Sequence, residues 1–199
     1  MARRADHTRE QLTDLAVNAG LELIKKEGFS NFSARKVAIH IGYTVGTLYN
    51  VFGSYDGLIM HINARTLDDW FAVMQAPLEK SKQKNQLHTL AHTYIDYSRT
   101  NYQQWVALFE RHTNKDYELP DWYMAKMARF FVMTEKLLLP IVNNNRRKAK
   151  RAARVLWAGI HGICILSLSE KLDLVEADSA ETLAISFIDN YIAGLTREQ

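Results

Sequence analysis

The chain has 199 residues, of which 47% are apolar and 11% aromatic, and its formal net charge at pH 7 is +3. This composition is typical of a globular protein long enough for two domains, and the mild positive charge permits nucleic-acid binding without requiring it. The single Cys164 excludes an internal disulfide and fits a reducing cytoplasm. No apolar run approaches the roughly twenty residues of a membrane span, and no apolar segment follows the first eleven residues, so we expect neither a span nor a secretory signal.

An amphipathic helix is predicted near residues 8–27, and Gly28 ends it. The apolar side chains that share one face of this helix are Leu12, Leu15, Ala16, Ala19 and Leu23. Phe29 and Phe32 follow directly, and we expect their rings to pack beneath the next two helices.

Two short helices separated by a glycine turn are predicted next. Ser33 and Thr44 are suitable N-cap residues, because a hydroxyl oxygen can accept a hydrogen bond from a backbone N–H of the first helical turn. Gly42 can adopt the positive φ that ends the first helix and turns the chain. Ser54 caps a third helix, and Asp56 lies in its first turn, where the helix dipole favours a negative charge.

The second of these helices, about eight residues long, carries small and hydroxyl side chains on its outward face. Leu48 and Phe52 are four residues apart and therefore both point into the core. The outward residues are Thr44, Val45, Gly46, Thr47, Tyr49 and Asn50. A helix of this size with such a surface fits the major groove of DNA.

This region resembles the DNA-binding region of the TetR family of transcriptional regulators. The matching residues are Ser33, Val37-Ala38, Gly42-Tyr43-Thr44, Gly46-Thr47-Leu48-Tyr49, Val51-Phe52, Ser54 and Leu58. Two positions depart from the family pattern. Tyr43 replaces a smaller apolar residue, and Tyr55 replaces a lysine that often contacts phosphate, so the salt dependence of DNA binding should be weaker by about one charge.

The resemblance implies roles for individual residues. Thr47 and Tyr49 would contact phosphates, and Arg35 would contact a phosphate or a base, with guanine preferred. Val45 and Asn50 occupy variable positions that read bases, where Asn favours adenine and Val can meet a thymine methyl. The complete predicted DNA-contacting set is Ser33, Arg35, Lys36, Thr44, Val45, Gly46, Thr47, Tyr49, Asn50 and Tyr55. The alternative is that some of these are ordinary exposed helix residues.

The remaining sequence also predicts helices, so the expected fold class is all-α: an N-terminal three-helix, helix-turn-helix domain followed by a C-terminal helical domain. A longer helix runs near residues 54–75 and Pro77 follows it. Residues 79–86 are polar and predict a connector. Further helices are expected near 86–100, 102–113, 120–140, 145–170 and 179–195. The predicted divisions are a DNA-binding domain over 1–53, a connecting helix over 54–76, and a ligand-binding and dimerisation domain over 77–199.

The second half resembles the C-terminal domain of one TetR branch, through Trp157, His161 and Gly162 in a late helix. In this family a small molecule enters a pocket among the central helices. The apolar and aromatic candidates for lining such a pocket are Trp105, Phe109, Trp122, Met127, Phe130, Phe131, Trp157 and His161. Aromatic and methionine residues at helical spacing also fit an ordinary core, and His161 fits a core histidine bonded to a backbone carbonyl.

Other polar groups suggest no chemistry of their own. His88 and His92 are four residues apart, but no third ligand is evident, so we predict no metal and no cofactor. Residues 143–154 hold six basic side chains and no acid, and we expect a solvated face. Arg3 and Arg4 form a basic arm that could reach the DNA.

The resulting hypothesis is a homodimeric repressor that a small apolar or aromatic ligand releases from a palindromic operator in double-stranded DNA. The apolar residues expected to pair two copies are Leu156, Ile163, Leu166, Ile185, Ile188 and Ile192. A two-fold dimer would place its recognition helices about 34–36 Å apart. Two alternatives remain: an enzyme, although no catalytic constellation stands out, and a protein-interaction module of the same fold that no longer binds specific DNA.

Overall fold

The structure is a computed structural model that describes residues 7–82, 85–109 and 119–197. Those residues contain ten α-helices and no β-strand, so the predicted all-α fold is confirmed. The helices are α1 (Arg9–Glu27), α2 (Ala34–His40), α3 (Val45–Phe52), α4 (Tyr55–Gln75), α5 (Gln86–Thr100), α6 (Tyr102–Phe109), α7 (Asp121–Leu138), α8 (Arg146–Leu168), α9 (Lys171–Leu174) and α10 (Ala180–Arg197). Short 3₁₀ turns occupy Phe29–Asn31, Leu78–Lys80 and Leu139–Val142.

The long helices begin and end within two residues of the predicted bounds. Two connections differ. The short helix α9 was not predicted, and Pro140 lies inside a 3₁₀ turn that follows α7. The predicted helix over 102–113 is seen as α6 up to Phe109, and its last residues lie outside the part of the chain that the structure describes. The basic arm of Arg3 and Arg4 also lies outside it.

Side-chain caps begin the helices of the predicted DNA-binding region. The Ser33 hydroxyl accepts from the Lys36 N–H at 3.2 Å, and the Thr44 hydroxyl accepts from the Thr47 N–H at 3.2 Å. The Ser54 hydroxyl accepts from the Gly57 N–H at 3.0 Å. All three predicted caps are therefore confirmed, and each stabilises its helix by about 1 kcal/mol.

The chain forms two compact units whose boundaries differ from the predicted divisions. Unit 1 contains Met1–Asp69 and Asn101–Tyr123, and unit 2 contains Trp70–Thr100 and Met124–Gln199. The first boundary falls inside α4 and not at residue 53 or 76. Helix α6, expected in the C-terminal domain, belongs to unit 1, where it contacts α1.

The core of unit 1 joins α1, α2, α3 and the first half of α4. Val37, Leu48 and Ile62 are each completely buried there. The prediction that Leu15 lies on the inner face of α1 was wrong, because this residue is 37% exposed. The buried face is rotated toward α2 and α3, and its residues are Leu12, Ala16, Val17, Ala19, Gly20 and Ile24.

Unit 2 packs α5, α8 and α10 against one another. The inner stripe of α8 follows helical periodicity through Ala149, Ala152, Ala153, Leu156, Ile160 and Cys164. Two residues expected at a dimer interface, Leu156 and Ile188, are each only 2% exposed within the chain. That expectation was wrong for both, because their side chains already belong to the core of unit 2.

Within the described residues, α8 is the one helix long and apolar enough to cross a membrane by length and composition. Its qualifying window has a mean hydropathy of 1.2. A single such helix is a weak indication, because core helices of proteins that never enter a membrane pass the same test, and we assign α8 no membrane role. The basic residues at its start are all exposed, as expected for a solvated face.

Candidate functional site

Two residues at the N-terminal side of α1, His7 and Arg9, contact the chain on either side of the predicted recognition helix, α3. The His7 Nδ1 lies 2.8 Å from the Tyr43 hydroxyl in the turn before α3. The Arg9 guanidinium donates to the Val51 carbonyl oxygen, in the last turn of α3, at 2.9 Å. Arg9 therefore satisfies a carbonyl that the helix end leaves open. Sequence reasoning missed both contacts, because they join residues 36 and 42 positions apart.

The outward face of α3 is open. Gly46 and Asn50 are exposed, and Tyr49 is 39% exposed. The Thr47 and Thr44 hydroxyl oxygens are hydrogen-bonded at 3.0 Å, so the Thr47 hydroxyl can donate its proton to a phosphate only when Thr44 is the donor in this pair. Val45 differs from the predicted outward position, because it is half-buried against the core of unit 1.

On α2 the two predicted cationic contacts differ in their surroundings. Arg35 is exposed. The Lys36 ammonium instead donates to the Glu27 carboxylate at 2.6 Å and to the Asn31 carbonyl at 2.8 Å. The hydrogen bond and charge of Lys36 lower the pKa of Glu27. Lys36 is thus positioned by its own chain and presents less free charge to a phosphate than Arg35 does.

The electrostatics of this surface favour a polyanion. The sequence holds no acidic residue between Glu27 and Asp56, a stretch that includes all of α2 and α3. Tyr55 follows at the start of α4, is 36% exposed, and packs its ring 6.1 Å from that of Phe32. Backbone phosphates could therefore approach α3 without repulsion from a carboxylate on these two helices.

The inner face of α3 continues into a short aromatic stack within unit 1. The Phe52 ring lies 5.1 Å from the His61 ring of α4, which lies 5.0 Å from the Trp122 ring. The His61 Nδ1 is bonded to the Gly57 carbonyl at 2.8 Å, which fixes the imidazole. The stack connects the end of α3 to the first turn of α7.

The eight predicted ligand-pocket residues are divided between the two units. Trp105, Phe109 and Trp122 belong to unit 1, where the fully buried Trp105 contacts Phe109. Unit 2 holds the other five: Met127, Phe130, Phe131, Trp157 and His161. Pocket lining therefore stays a prediction for both groups.

In unit 2 Trp157 contacts two of the other predicted residues, Phe131 and His161. The Trp157 ring stacks on His161 at 5.5 Å and meets the Phe131 ring at 5.7 Å. The His161 Nδ1 is bonded to the Tyr94 hydroxyl at 2.8 Å, and burial lowers the pKa of His161. Burial therefore favours the neutral imidazole, and the partner of its Nδ1 is a tyrosine hydroxyl.

Phe130 joins a second group of rings that sequence reasoning missed. Trp70 contacts Phe130 at 5.1 Å, Tyr94 at 4.9 Å and Tyr97 at 5.2 Å between ring centroids. The signal was present, because Tyr94 and Tyr97 are three residues apart on one helical face. We call Trp70, Tyr94, Tyr97 and Phe130 the aromatic cluster.

Of the other polar residues, His88 is paired and Cys164 is buried. His88 Nε2 lies 2.7 Å from the Asp189 carboxylate, and no group of three metal-ligating side chains occurs among the residues that the structure describes. Cys164 is buried, and burial raises the pKa of its thiol to about 11. It remains protonated near neutral pH and is a core residue.

Comparisons with known proteins agree with the fold. Residues 16–62 match the family described as bacterial regulatory proteins, tetR family, and residues 87–189 match the tetracyclin repressor-like C-terminal domain. The chain is 24% identical over 183 residues to YobS of Bacillus subtilis, an uncharacterized HTH-type transcriptional regulator, and 91% of each chain is covered.

Solved structures share the architecture at low sequence identity. A protein of unknown function from Rhodococcus sp. RHA1 is 16% identical with a TM-score of 0.73, covering 98% of this chain and all of that one. RolR in complex with resorcinol is 15% identical with a TM-score of 0.66, covering 96% of this chain and 88% of that one.

Two family models thus match successive parts of the chain, and the second spans more than half of its length. Proteins of this family are DNA-binding transcription regulators with a C-terminal ligand-binding domain, and they are not enzymes. The chain belongs to the TetR family of transcriptional regulators.

Proposed function

We propose that this chain is a homodimeric repressor, acting in the cytoplasm, that binds a palindromic operator through α3 and releases it when a small aromatic molecule binds to the C-terminal domain. The observation that carries the proposal is the outward face of α3, which is open and free of acidic neighbours on α2 and α3. Hydrogen bonds from His7, just before α1, and from Arg9, at its start, tie down the turn before α3 and its last turn. A helix with this surface, held in place by these contacts, can enter a major groove.

The proposed contacts divide by their surroundings. Arg35, Tyr49 and Asn50 are exposed and would contact phosphates or bases directly, and Gly46 would let the backbone approach. Ser33 and Thr44 act first as helix caps, with Thr47 bonded to Thr44. The proposed set is completed by Lys36, Val45 and Tyr55. Each of these side chains also contacts other residues of the same chain.

The proposed dimer face lies on α8. Val155 is 37% exposed and Leu166 is 42% exposed, and Gly162 between them has open space where a side chain would begin. Their spacing of seven and four residues puts all three on one side of the helix, away from its buried stripe. Apolar surface of this kind on a long helix supports pairing with a second copy.

An aromatic effector is supported by the aromatic groups of unit 2 and by one structural relative. RolR, which shares the fold, was crystallised with resorcinol. Ligand binding would release DNA only to the extent that it favours the conformation with weaker DNA affinity.

A gel-shift titration against the DNA that flanks the gene of this protein tests the proposal. We expect a sequence-specific complex that Tyr49→Ala weakens about tenfold or more, because a hydrogen bond to a charged phosphate is lost. The competing function is a protein-interaction module that has left DNA. Equal binding of all duplexes at low salt, with Tyr49→Ala indistinguishable from the wild type, would favour that module and contradict the repressor.

A further inference from the structure

The indole N–H of Trp70 in unit 2 is a buried hydrogen-bond donor. Trp70 is 4% exposed, and among the residues that the structure describes none accepts a hydrogen bond from its Nε1. Buried tryptophan N–H groups normally find a partner, and an exception calls for a physical reason. A bound molecule that supplies the acceptor is such a reason.

The surroundings of Trp70 suit a flat apolar molecule. The Tyr97 ring is nearly parallel to the indole, with an interplanar angle of 12°, whereas the Tyr94 ring meets it edge-on at 63°. Phe130 lies on α7 and contacts the same indole. The aromatic cluster thus draws on α4, α5 and α7, and its rings offer both stacking and edge-on contacts.

The charges beside the cluster argue against a cationic ligand. The guanidinium carbon of Arg129 lies 4.5 Å from the centroid of the Phe71 ring and 5.8 Å from that of Phe130. The face that a ligand cation would seek on Phe130 is therefore already next to a positive charge.

We propose that the Trp70 Nε1 is the polar anchor of the effector site, and that the effector is a planar aromatic compound without positive charge whose oxygen accepts this hydrogen bond. The inference rests on the proposed function for the role of the ligand, but the binding site itself can be tested without DNA.

The experiment compares two neutral probes of matched shape, 2-acetylnaphthalene and 2-isopropylnaphthalene, of which only the first carries an acceptor oxygen. Calorimetric titration of the full chain should show that the wild type prefers the ketone about 3- to 10-fold, the worth of one hydrogen bond. Trp70→Phe keeps an aromatic ring but removes the N–H, so we expect it to bind both probes equally. A trimethylammonium derivative of naphthalene should bind the wild type more weakly than either.

Tyr97→Leu is the matched second variant, and it serves equally if Trp70→Phe fails to fold. It removes a stacking ring and keeps the donor, so both probes should weaken while the preference for the ketone survives. The site assignment is overturned if the wild type binds neither probe or shows no preference. It is also overturned if Trp70→Phe retains the preference, or if Tyr97→Leu loses it. Operator binding without any probe tests the proposed function separately.

Discussion

Tyr55 occupies a position where the family pattern often has a lysine, and this difference can be tested directly. A lysine at that position would add a positive charge beside a phosphate, whereas the tyrosine hydroxyl is neutral. The ring is partly committed to Phe32, which fixes the side chain at the start of α4. If Tyr55 contacts DNA, it does so as a positioned hydrogen-bond donor and releases no counterion.

Tyr55→Lys should therefore restore an ionic contact. We expect the slope of log Kd against log salt concentration to steepen by about 0.9 for each half-site, or about 1.8 for the dimer on a complete operator, with tighter binding at low salt. Fluorescence anisotropy with a labelled duplex at four salt concentrations measures the slope. Tyr102→Lys adds the same charge at an exposed tyrosine of α6 outside the proposed interface. Equal slopes for the two variants would remove Tyr55 from the interface.

His161 predicts a pH dependence of stability. Burial lowers its pKa in the folded chain, so below the unfolded-state value of about 6.5 the unfolded chain takes up the proton first. The free energy of unfolding should therefore fall as the pH drops from 7 to 5, by at most about 1.4 kcal/mol per pH unit from this group. In His161→Gln this part of the fall should be absent in urea titrations followed by circular dichroism. Parallel pH profiles for the two proteins would exclude His161 as a source.

At the scale of elements, the caps and the glycines decide how α3 and α4 meet. Gly57 lies where α4 begins against the end of α3, and a Cβ placed on it would lie 2.0 Å from the Phe52 carbonyl oxygen. Gly46 is in a different position, because a Cβ there would meet Thr44 Oγ1 at an ordinary 3.7 Å. The fold therefore requires glycine at position 57. At position 46 the fold itself has room for a side chain, so a need for glycine there would come from a partner molecule.

Substituting each glycine by alanine should separate stability from DNA binding. Gly57→Ala should destabilise the chain by about 1–3 kcal/mol through overpacking. Gly46→Ala should leave stability unchanged or raise it by up to about 1 kcal/mol, because alanine favours a helix, yet it should weaken DNA binding by keeping the backbone away from the groove. Thermal unfolding and gel shifts measure the two effects. Unchanged DNA affinity in Gly46→Ala would mean that the backbone does not approach DNA there.

Much of the element scale could be predicted from sequence. Ser33, Thr44 and Ser54 cap helices through contacts three residues apart, and such local contacts are visible as spacing. The contacts of Arg9 with Val51 and of Tyr94 with His161 are not, because nothing local in either partner indicates the other. The same limit explains Leu15, since periodicity shows that a helix has an apolar face but not how that face is rotated.

At the scale of the whole molecule, the sequence predicted two domains but not which helices belong to each compact unit. The match of residues 33–58 to a known DNA-binding pattern located the candidate interface; Gly46, Tyr49 and Asn50 are exposed on α3 as predicted, whereas Val45 is half-buried, and DNA contact stays a prediction. The described parts of residues 101–123 join unit 1 although they follow a helix of unit 2. Helical periodicity shows which side chains are buried and leaves open which helix covers them, so the pocket candidates on α6 and α8 could not be separated in advance.

The proposed dimer follows from what unit 2 leaves exposed. The side chains of α8 that do not enter its core include Val155 and Leu166, in a row with the open surface at Gly162. Because one recognition helix contacts only a half-site, operator affinity depends on pairing: the second half-site is then bound at a high effective concentration. A change that separates the copies should therefore weaken operator binding without touching α3.

Leu166→Glu should produce that separation, because it puts a charge into the apolar face that a second copy would cover. We expect light scattering coupled to size exclusion to report twice the 22.9 kDa chain mass for the wild type and a single chain mass for the variant. Operator affinity should fall at least about tenfold. The thermal stability of the variant should match that of the wild type when both are measured at a concentration low enough for the wild type to be monomeric. Val73→Glu, which charges an exposed valine on α4, should remain dimeric. If Leu166→Glu remains dimeric and keeps full operator affinity, the interface does not lie on this face of α8. If the wild type is monomeric and still binds the complete operator tightly, the mechanism does not need a dimer.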